Sequence, residues 1–147
     1  MLIKLNEKNV SLVIKDDPVR PHIRARWRTQ TGREVYGLYN DQSCEKLRAV
    51  ICVSYTDDIP TCEDDLEKTG TEIAVFYTVW SYDKGAGREI VFSAAKQIKN
   101  RNKNIKRFVT LSPLTEMARR FHLSNGAIFL NKHLDCQNFE YKIDNIK

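Results

Sequence analysis

The first half of the chain carries the apolar patterns of four β-strands. Asn9–Lys15 and Glu34–Asn40 alternate apolar with polar residues, which is typical of half-buried strands. Leu47–Thr56 and Thr71–Tyr82 are nearly continuous in β-branched, apolar and aromatic residues, so we expect both faces of Thr71–Tyr82 to be covered. The acidic segment Asp57–Gly70 between them predicts an exposed loop or a short helix.

The periodicity changes to that of a helix after Arg88. Apolar residues recur at helical spacing and basic residues occupy the opposite side, which predicts an amphipathic helix that faces a core. The apolar positions are Val91, Ala94, Ala95 and Ile98.

Three further segments complete the predicted order of elements. Arg107–Ser112 has the pattern of a short buried strand that Pro113 ends. Leu114–Gly126 predicts a helix with Gly126 as its C-terminal cap, and Ala127–Ile143 predicts one or two strands. Strands followed by a strand, helix, strand, helix, strand unit indicate a mixed sheet with helices packed on it.

Length and composition indicate one domain, over residues 1–147. A chain of 147 residues with 41% hydrophobic content is large enough to bury a core. No apolar run approaches the roughly 18 residues that a bilayer span requires. The N-terminal residues are charged where a signal peptide would be apolar. We therefore expect a cytoplasmic protein without a membrane partner.

The cysteines favour neither a metal site nor a disulfide framework. They have no CxxC spacing and no nearby pair of histidines, so reduced thiols are expected. The four are Cys44, Cys52, Cys62 and Cys136.

The net charge of +5 is concentrated in two basic clusters. The first comprises Arg20, Arg24, Arg26, Arg28 and Arg33, and the second comprises Lys96, Lys99, Arg101, Lys103, Lys106 and Arg107. Such clusters can meet the phosphates of a nucleic acid or of a nucleotide-containing ligand, although a solvated face is the commoner role. Trp27 could stack on a base, but a single tryptophan more often packs against the protein itself. A nucleic-acid partner is therefore not the favoured prediction.

The segment Tyr82–Gly87 places two of the six glycines at the start of the predicted helix. Glycine lets the backbone approach a ligand closely, and the free N–H groups and dipole of a helix start favour a phosphate. Gly85 and Gly87 are equally compatible with a tight strand-to-helix turn.

The order of elements around this loop resembles the GNAT acyltransferase fold, which binds the pyrophosphate of coenzyme A at such a loop. The resemblance is more specific to the GNAT-like C-terminal catalytic domain of malonyl-CoA decarboxylases, and it spans roughly Arg33 to Tyr141. The segments that carry it are EVYGLYND, RAVICVSYT, AVFYTVWSYDKGAGREIV, FVTLSP, FHLSNGA and NFEY. Residues 1–30 have no clear counterpart, and the family's helical N-terminal domain is not represented.

This resemblance implies an α+β fold with a mixed, mostly antiparallel central sheet and helices on both sides. It also implies an acyl-CoA ligand with its pyrophosphate over Lys84–Arg88, and no metal. The residues expected to bind coenzyme A are Tyr82, Lys84, Gly85, Ala86, Gly87, Arg88 and Asn125. Asn125 could contact the acyl group, although helix capping is its commoner use.

Decarboxylation of a malonyl thioester requires groups that hold the carboxylate, stabilise an enolate and supply a proton. The family's essential hydroxyl and histidine lie in the segments that match FVTLSP and FHLSNGA. The resemblance therefore assigns the histidine to His122 and the hydroxyl to Thr110, with Ser112 as the alternative. From the residues alone, a structural role in packing or at the end of a strand is the commoner one for each of them.

Two other functions remain open at this stage. A GNAT acyltransferase would move an acetyl group from coenzyme A to an amine, commonly with a tyrosine before the glycine that ends the last helix. Here that place is taken by Phe121 or His122, which favours the decarboxylase-like chemistry, although a histidine could also serve as the acid. A module that binds acyl-CoA or nucleic acid without catalysis is the third possibility.

Overall fold

The described part of the protein is built around one open, mixed sheet of eight strands. The structure is a computed structural model, in which residues 1–142, 144 and 146 are described. The strands are β1 (Leu2–Lys4), β2 (Arg33–Tyr39), β3 (Leu47–Thr56), β4 (Ile73–Ser81), β5 (Arg107–Thr110), β6 (Ser112–Pro113), β7 (Ile128–Lys132) and β8 (Cys136–Tyr141). Their order is β1-β2-β3-β4-β5-β8-β6, and β7 also pairs with β8. The β4–β5 pair is parallel and the other pairs are antiparallel, which confirms the predicted sheet.

Helices cover both faces of this sheet. They are α1 (Glu7–Ser11), α2 (Ala25–Arg28), α3 (Ala86–Arg101) and α4 (Glu116–Ser124), with 3-10 turns at Ile14–Asp16 and Glu63–Glu67. The apolar side of α3 packs into a cluster on one face, as its predicted periodicity requires. Val10 of α1 and Ala25 of α2 belong to the cluster on the other face. Within the described ranges, no helix is long and apolar enough to cross a bilayer.

The predicted strand at Asn9–Lys15 is wrong, because this segment forms α1 and the first 3-10 turn. The side chain of Asn6 caps α1 by accepting a hydrogen bond from the Asn9 N–H at 2.9 Å. Val10, Val13 and Ile14 contact the same hydrophobic cluster at helical spacing. An apolar run this short fits either period, so the cap decides its structure.

The predicted strand Arg107–Ser112 is interrupted at Leu111, which separates β5 from β6. The predicted strand Leu47–Thr56 has the same bounds as β3, and Gly126 ends α4 with a φ of 94°. The predicted strand region after α4 divides into β7 and β8, and its last residue, Ile143, lies outside the described residues.

A bulge in β4 and the end of its pairing with β5 open a gap in the sheet. In the β3–β4 register, Cys52 pairs with Thr78 and Val53 pairs with Phe76, so Tyr77 is the extra residue of a β-bulge. β5 pairs with β4 only as far as Phe76 and Thr110. The next segment, β6, pairs with β8, so the second half of β4 has no strand on that side. We call this gap, together with the helix residues that border it, the cleft.

Part of the first basic cluster is an internal ion-pair network. The buried members are Arg20, Arg28 and Arg33. Arg28 forms a fully buried ion pair with Asp17, with 2.8 Å between Nη1 and Oδ2. Arg20 pairs with Glu63 of the acidic 3-10 turn, with 3.1 Å between Nε and Oε1. The acidic segment predicted as a loop or short helix is therefore the partner of the basic segment.

Trp27 packs against the protein rather than presenting an open face. The Trp27 ring meets the Tyr77 ring edge-on, with 5.9 Å between their centroids. The Arg33 guanidinium lies over the Trp27 ring, 3.8 Å from the centroid of that ring. The Trp27 Nε1–H donates to Glu67 Oε1 at 2.6 Å. These contacts fix the helical N-terminal segment against the bulged part of β4.

Candidate ligand-binding cleft

The cleft contains a cavity of about 820 Å³, within the range of small-molecule sites. It is bounded by β4, by the first turns of α3, by α4, by the start of β6 and by residues 16–19. Most of the lining is apolar or aromatic, and among the described lining residues Asp16 alone carries a formal charge at neutral pH. No group of three His, Cys, Asp or Glu residues in the described chain could hold a metal ion.

The two glycines at the start of α3 have different structural roles. Gly85 is the N-cap and has a φ of 84°, a conformation that other residues rarely adopt. Gly87 has no positive φ, but it lines the cavity, and a Cβ there would lie 3.2 Å from Phe121 Cε1. Because Gly87 belongs to the first turn of α3, the cavity reaches the start of this helix. The N–H groups of a first turn have no acceptor within the helix, so such a helix end favours anions.

The other residues of the predicted coenzyme A loop are arranged around this helix start. Tyr82 lines the cavity and donates its O–H to Asp16 Oδ2 at 2.7 Å. Burial, and then the neighbouring Asp16 carboxylate, raise the pKa of Tyr82 to about 12, so the O–H remains a donor. Lys84 is exposed and does not belong to the cavity lining, whereas Ala86 is buried in the hydrophobic cluster against which α3 packs.

Arg88 and Asn125 contact each other at the border between α3 and α4. The Arg88 guanidinium donates from Nη1 to Asn125 Oδ1 at 3.2 Å and lies 5.0 Å from the centroid of Phe92. Asn125 is the C-cap of α4, and its Nδ2 is buried with no hydrogen-bond partner among the described residues. Neither residue belongs to the cavity lining. The Arg88 side chain instead forms its hydrogen bond with the C-cap of α4.

His122 is a buried residue of α4 that lines the cavity. Its Nδ1 is 2.7 Å from the Tyr141 hydroxyl, and its ring stacks on Phe139 with 5.3 Å between centroids. Burial lowers the pKa of His122 to about 4, so the imidazole is neutral at physiological pH. No described residue forms a hydrogen bond with Nε2, which leaves that atom for a ligand.

The two candidate hydroxyls form a pair, but they face different surroundings. Thr110 Oγ1 and Ser112 Oγ are 2.8 Å apart. Thr110 is fully buried, and its Oγ1 accepts a hydrogen bond from the Phe139 N–H at 3.0 Å. Ser112 lines the cavity with His122, whereas Thr110 is not part of the lining. The geometry therefore favours Ser112, the alternative in the sequence interpretation, as the hydroxyl that a ligand would meet.

Two contributors to the cleft had no role in the sequence interpretation. Tyr141 lies in the NFEY segment, and burial raises its pKa to about 12, so its protonated hydroxyl can fix the His122 ring. Residues 16–19 lie in the N-terminal region without a counterpart, and their sequence signal is the Asp-Asp-Pro turn.

The depressed pKa of His122 is expected to be visible in solution. Its ring should remain neutral from pH 8 to about pH 5 and titrate near pH 4, because the charged form is poorly solvated in the folded state. The unfolded chain, with a histidine pKa near 6.5, binds more protons between these values, so stability should fall as the pH drops from about 6.5 to about 4. Ring ¹⁵N chemical shifts, assigned with a His122→Gln variant, measure this titration. A midpoint near 6.5 would contradict the buried ring.

Solved structures of a malonyl-CoA decarboxylase and of acetyltransferases resemble the fold of this chain. The malonyl-CoA decarboxylase from Cupriavidus metallidurans matches with a TM-score of 0.75 and 12% identity, over 99% of this chain and 62% of that chain. NAA60 of Arabidopsis thaliana, in complex with acetyl-CoA, matches with a TM-score of 0.68 and 10% identity, over 99% of both chains. The N-acetyltransferase PseH from Campylobacter jejuni matches with a TM-score of 0.64 and 14% identity, over 97% of this chain and 96% of that chain.

These likenesses show a GNAT-like fold. The chain spans between 35% and 62% of the length of the malonyl-CoA decarboxylase chains that it matches. By sequence, no protein-family model and no curated protein matches it.

Proposed function

We propose that the protein binds an acyl-CoA in the cleft and decarboxylates malonyl-CoA or a related carboxyacyl-CoA. The observation that carries this proposal is that one cavity is lined by the glycine start of α3, by the Ser112 hydroxyl and by the neutral His122 ring. Neighbours in complex with acetyl-CoA support a ligand of this type in a GNAT-like fold.

The phosphate end of the ligand is assigned to the start of α3. Gly87 removes the side chain that would otherwise separate the cavity from the helix backbone. Free N–H groups and the helix dipole of a 16-residue helix then favour the pyrophosphate. The exposed Lys84, next to the N-cap Gly85, adds a positive charge for the phosphates of the nucleotide.

The acyl end is assigned to Ser112 and His122. The Ser112 hydroxyl holds the substrate carboxylate; when CO₂ leaves, the electrons of the broken C–C bond form an enolate with charge on the thioester oxygen. If the Tyr141 O–H donates to Nδ1 of His122, Nε2 carries the ring proton and donates to that oxygen. A neutral ring suits this hydrogen bond better than it suits full proton donation, so the proton that replaces CO₂ on carbon comes from water.

The apolar lining supports the loss of a carboxylate. A carboxylate is poorly solvated among the aromatic and aliphatic residues of the cleft, where the described lining supplies no lysine or arginine to stabilise it. The transition state spreads the same charge toward the thioester oxygen, where donors are available. This difference lowers the barrier to decarboxylation.

Acetyl transfer to an amine is the second candidate, because the acetyl-CoA-bound NAA60 has the same fold over the full length of both chains. Transfer would release free thiol from acetyl-CoA only when an amine acceptor is present. Decarboxylation releases CO₂ and leaves the thioester intact. The two products, CO₂ and free thiol, therefore distinguish the two functions.

Replacing Gly87 with valine is expected to weaken coenzyme A binding by about 10-fold, or about 1.4 kcal/mol, while the fold survives. The new side chain would fill the cavity at the helix start and contact Phe121 at 3.2 Å or less. Calorimetric titration of the folded variant with coenzyme A gives the affinity. Lys96→Val, an exposed site on α3, controls for a β-branched residue in this helix. Equal affinity in Gly87→Val and wild type would remove the pyrophosphate assignment.

The two hydroxyl variants separate catalysis from packing. Ser112→Ala should lower the turnover of malonyl-CoA by about 10²-fold, because the substrate carboxylate loses the hydrogen bond that orients it for cleavage. Thr110→Val should lower it by less than about 10-fold, and should cost about 1–3 kcal/mol of stability because the Phe139 N–H loses its acceptor. Steady-state kinetics and urea unfolding measure the two effects. A stable Thr110→Val protein that has lost turnover would return the catalytic role to Thr110.

A further inference from the structure

Residues 16–19 form a wall of the cleft that the proposed reaction does not use. Pro18 and Val19 both line the cavity. Val19 is half-buried and belongs to neither hydrophobic cluster of the described chain, although other apolar residues of the same region do. Its apolar side chain is thus left for whatever occupies the cavity.

The wall is fixed to β4 by a buried carboxylate. Asp17 accepts hydrogen bonds from the N–H groups of Val19 and Arg20, at 2.8 and 2.9 Å, and from Thr78 Oγ1 at 3.0 Å. Its ion pair with Arg28 completes this set. Replacing a buried ion pair with hydrophobic residues often leaves a protein equally stable or more stable, so stability alone does not explain this network. We interpret the network as holding the wall in one conformation.

Both flanks of the wall are also tied to the strand. The Arg20 guanidinium donates to the carbonyl oxygen of Tyr77, the bulge residue. Asp16 accepts a hydrogen bond from the hydroxyl of Tyr82, the residue that directly follows β4. A wall held at both flanks and at its centre cannot retreat from a larger ligand.

The position of the wall relates it to the acyl end of the ligand. Tyr77 and Thr78 are the first residues of β4 beyond its last pair with β5. Ser112 lies two residues beyond Thr110, the last β5 residue of that pair, and lines the same cavity as Val19. The wall, held at Thr78, therefore stands at the same level of the cleft as Ser112, to which the acyl end is assigned.

We propose that Val19, held by Asp17, is the residue that limits the size of the acyl group that the cleft accepts. This inference rests on the proposed acyl-CoA site and adds its substrate class, which is short acyl and carboxyacyl thioesters. Longer chains are excluded by contact with a wall that does not yield.

The test uses three ligands of increasing acyl length with two opposite variants. Calorimetry gives the affinities of coenzyme A, butyryl-CoA and hexanoyl-CoA for wild type, Val19→Ala and Val19→Phe. Val19→Ala should raise the affinity for hexanoyl-CoA about 10-fold, and Val19→Phe should lower the affinity for butyryl-CoA about 10-fold. The affinity for coenzyme A itself should stay within about twofold, because the wall does not meet its phosphates.

Val13→Ala is the matched control, since Val13 is equally half-buried in the same segment but packs on a hydrophobic cluster outside the cavity. It should leave all three affinities within about twofold of wild type. If all these proteins bind coenzyme A but both Val19 variants have the same acyl-length preference as wild type, the size limit is refuted and the acyl-CoA site stands. If wild type binds none of the three ligands, the proposed function and the size limit both fail.

Discussion

His122→Ala is expected to lower the turnover number for malonyl-CoA by about 10²–10⁴-fold, the range typical of a lost acid, base or hydrogen-bond donor. The variant removes Nε2, which has no partner among the described residues and belongs to a ring that lines the cavity. Coenzyme A affinity should change little, because the phosphate end of the ligand is assigned to α3. Steady-state rates of CO₂ release and calorimetry with coenzyme A measure the two quantities separately.

His22→Ala is the matched control for this loss. His22 is exposed and pairs with Glu63, away from the cavity lining, so its removal should change turnover by no more than about twofold. A His122→Ala protein that decarboxylates malonyl-CoA at the wild-type rate would refute the proposed site. A parallel loss of coenzyme A binding would instead assign His122 to ligand binding.

Asp17→Ala is expected to lower the free energy of unfolding by about 3–5 kcal/mol. The substitution leaves the fully buried Arg28 guanidinium without its counter-ion and removes the acceptor of the Thr78 hydroxyl. Urea unfolding followed by circular dichroism measures the change. Asp64→Ala, an exposed position in the acidic turn, should stay within about 0.5 kcal/mol of wild type. An equally small loss in Asp17→Ala would contradict the view that the network fixes the wall.

The pH dependence of stability gives a second view of Asp17. Burial raises the pKa of this carboxyl, but the N–H groups of Arg20 and Val19 and the Arg28 guanidinium lower it more, so it lies below its usual value. Its contribution is therefore complete above the unfolded pKa, near 3.9, and is lost as the pH falls through the folded pKa. Acid unfolding of Asp17→Ala should lack this component.

The central sheet and α3 could be predicted because their signals are long. β3 and β4, of ten and nine residues, consist mostly of apolar, β-branched and aromatic residues, a pattern typical of strands that are covered on both faces. The apolar positions of α3 repeat over most of its 16 residues, so its buried side follows directly from the sequence.

The N-terminal segment could not be predicted, because its structure depends on distant partners. The apolar run around Val10 is short, and a single Asn6 cap decides between helix and strand. The arginines look like a surface cluster until the fold brings Asp17 and Glu63 to them. Nothing in the local sequence shows that Asp16, Pro18 and Val19 line a cavity together with β4 and α4.

The choice between Thr110 and Ser112 also needed the three-dimensional arrangement. Both hydroxyls lie two residues apart at the end of one predicted strand, and alternation alone would place them on the same side. The interruption at Leu111 moves Ser112 into β6 and toward the cavity, while Phe139 engages Thr110. The segment that holds both hydroxyls could thus be predicted from the sequence. Which of the two lines the cavity depends on the break between β5 and β6.

The most direct test of the proposed function follows CO₂ and free thiol separately when the purified protein is incubated with malonyl-CoA. A parallel reaction contains acetyl-CoA and a mixture of amines. We expect CO₂ from malonyl-CoA, with acetyl-CoA as the other product and no release of thiol. Binding of malonyl-CoA without CO₂ release would contradict it. Thiol release that depends on the amines would then identify an acyltransferase.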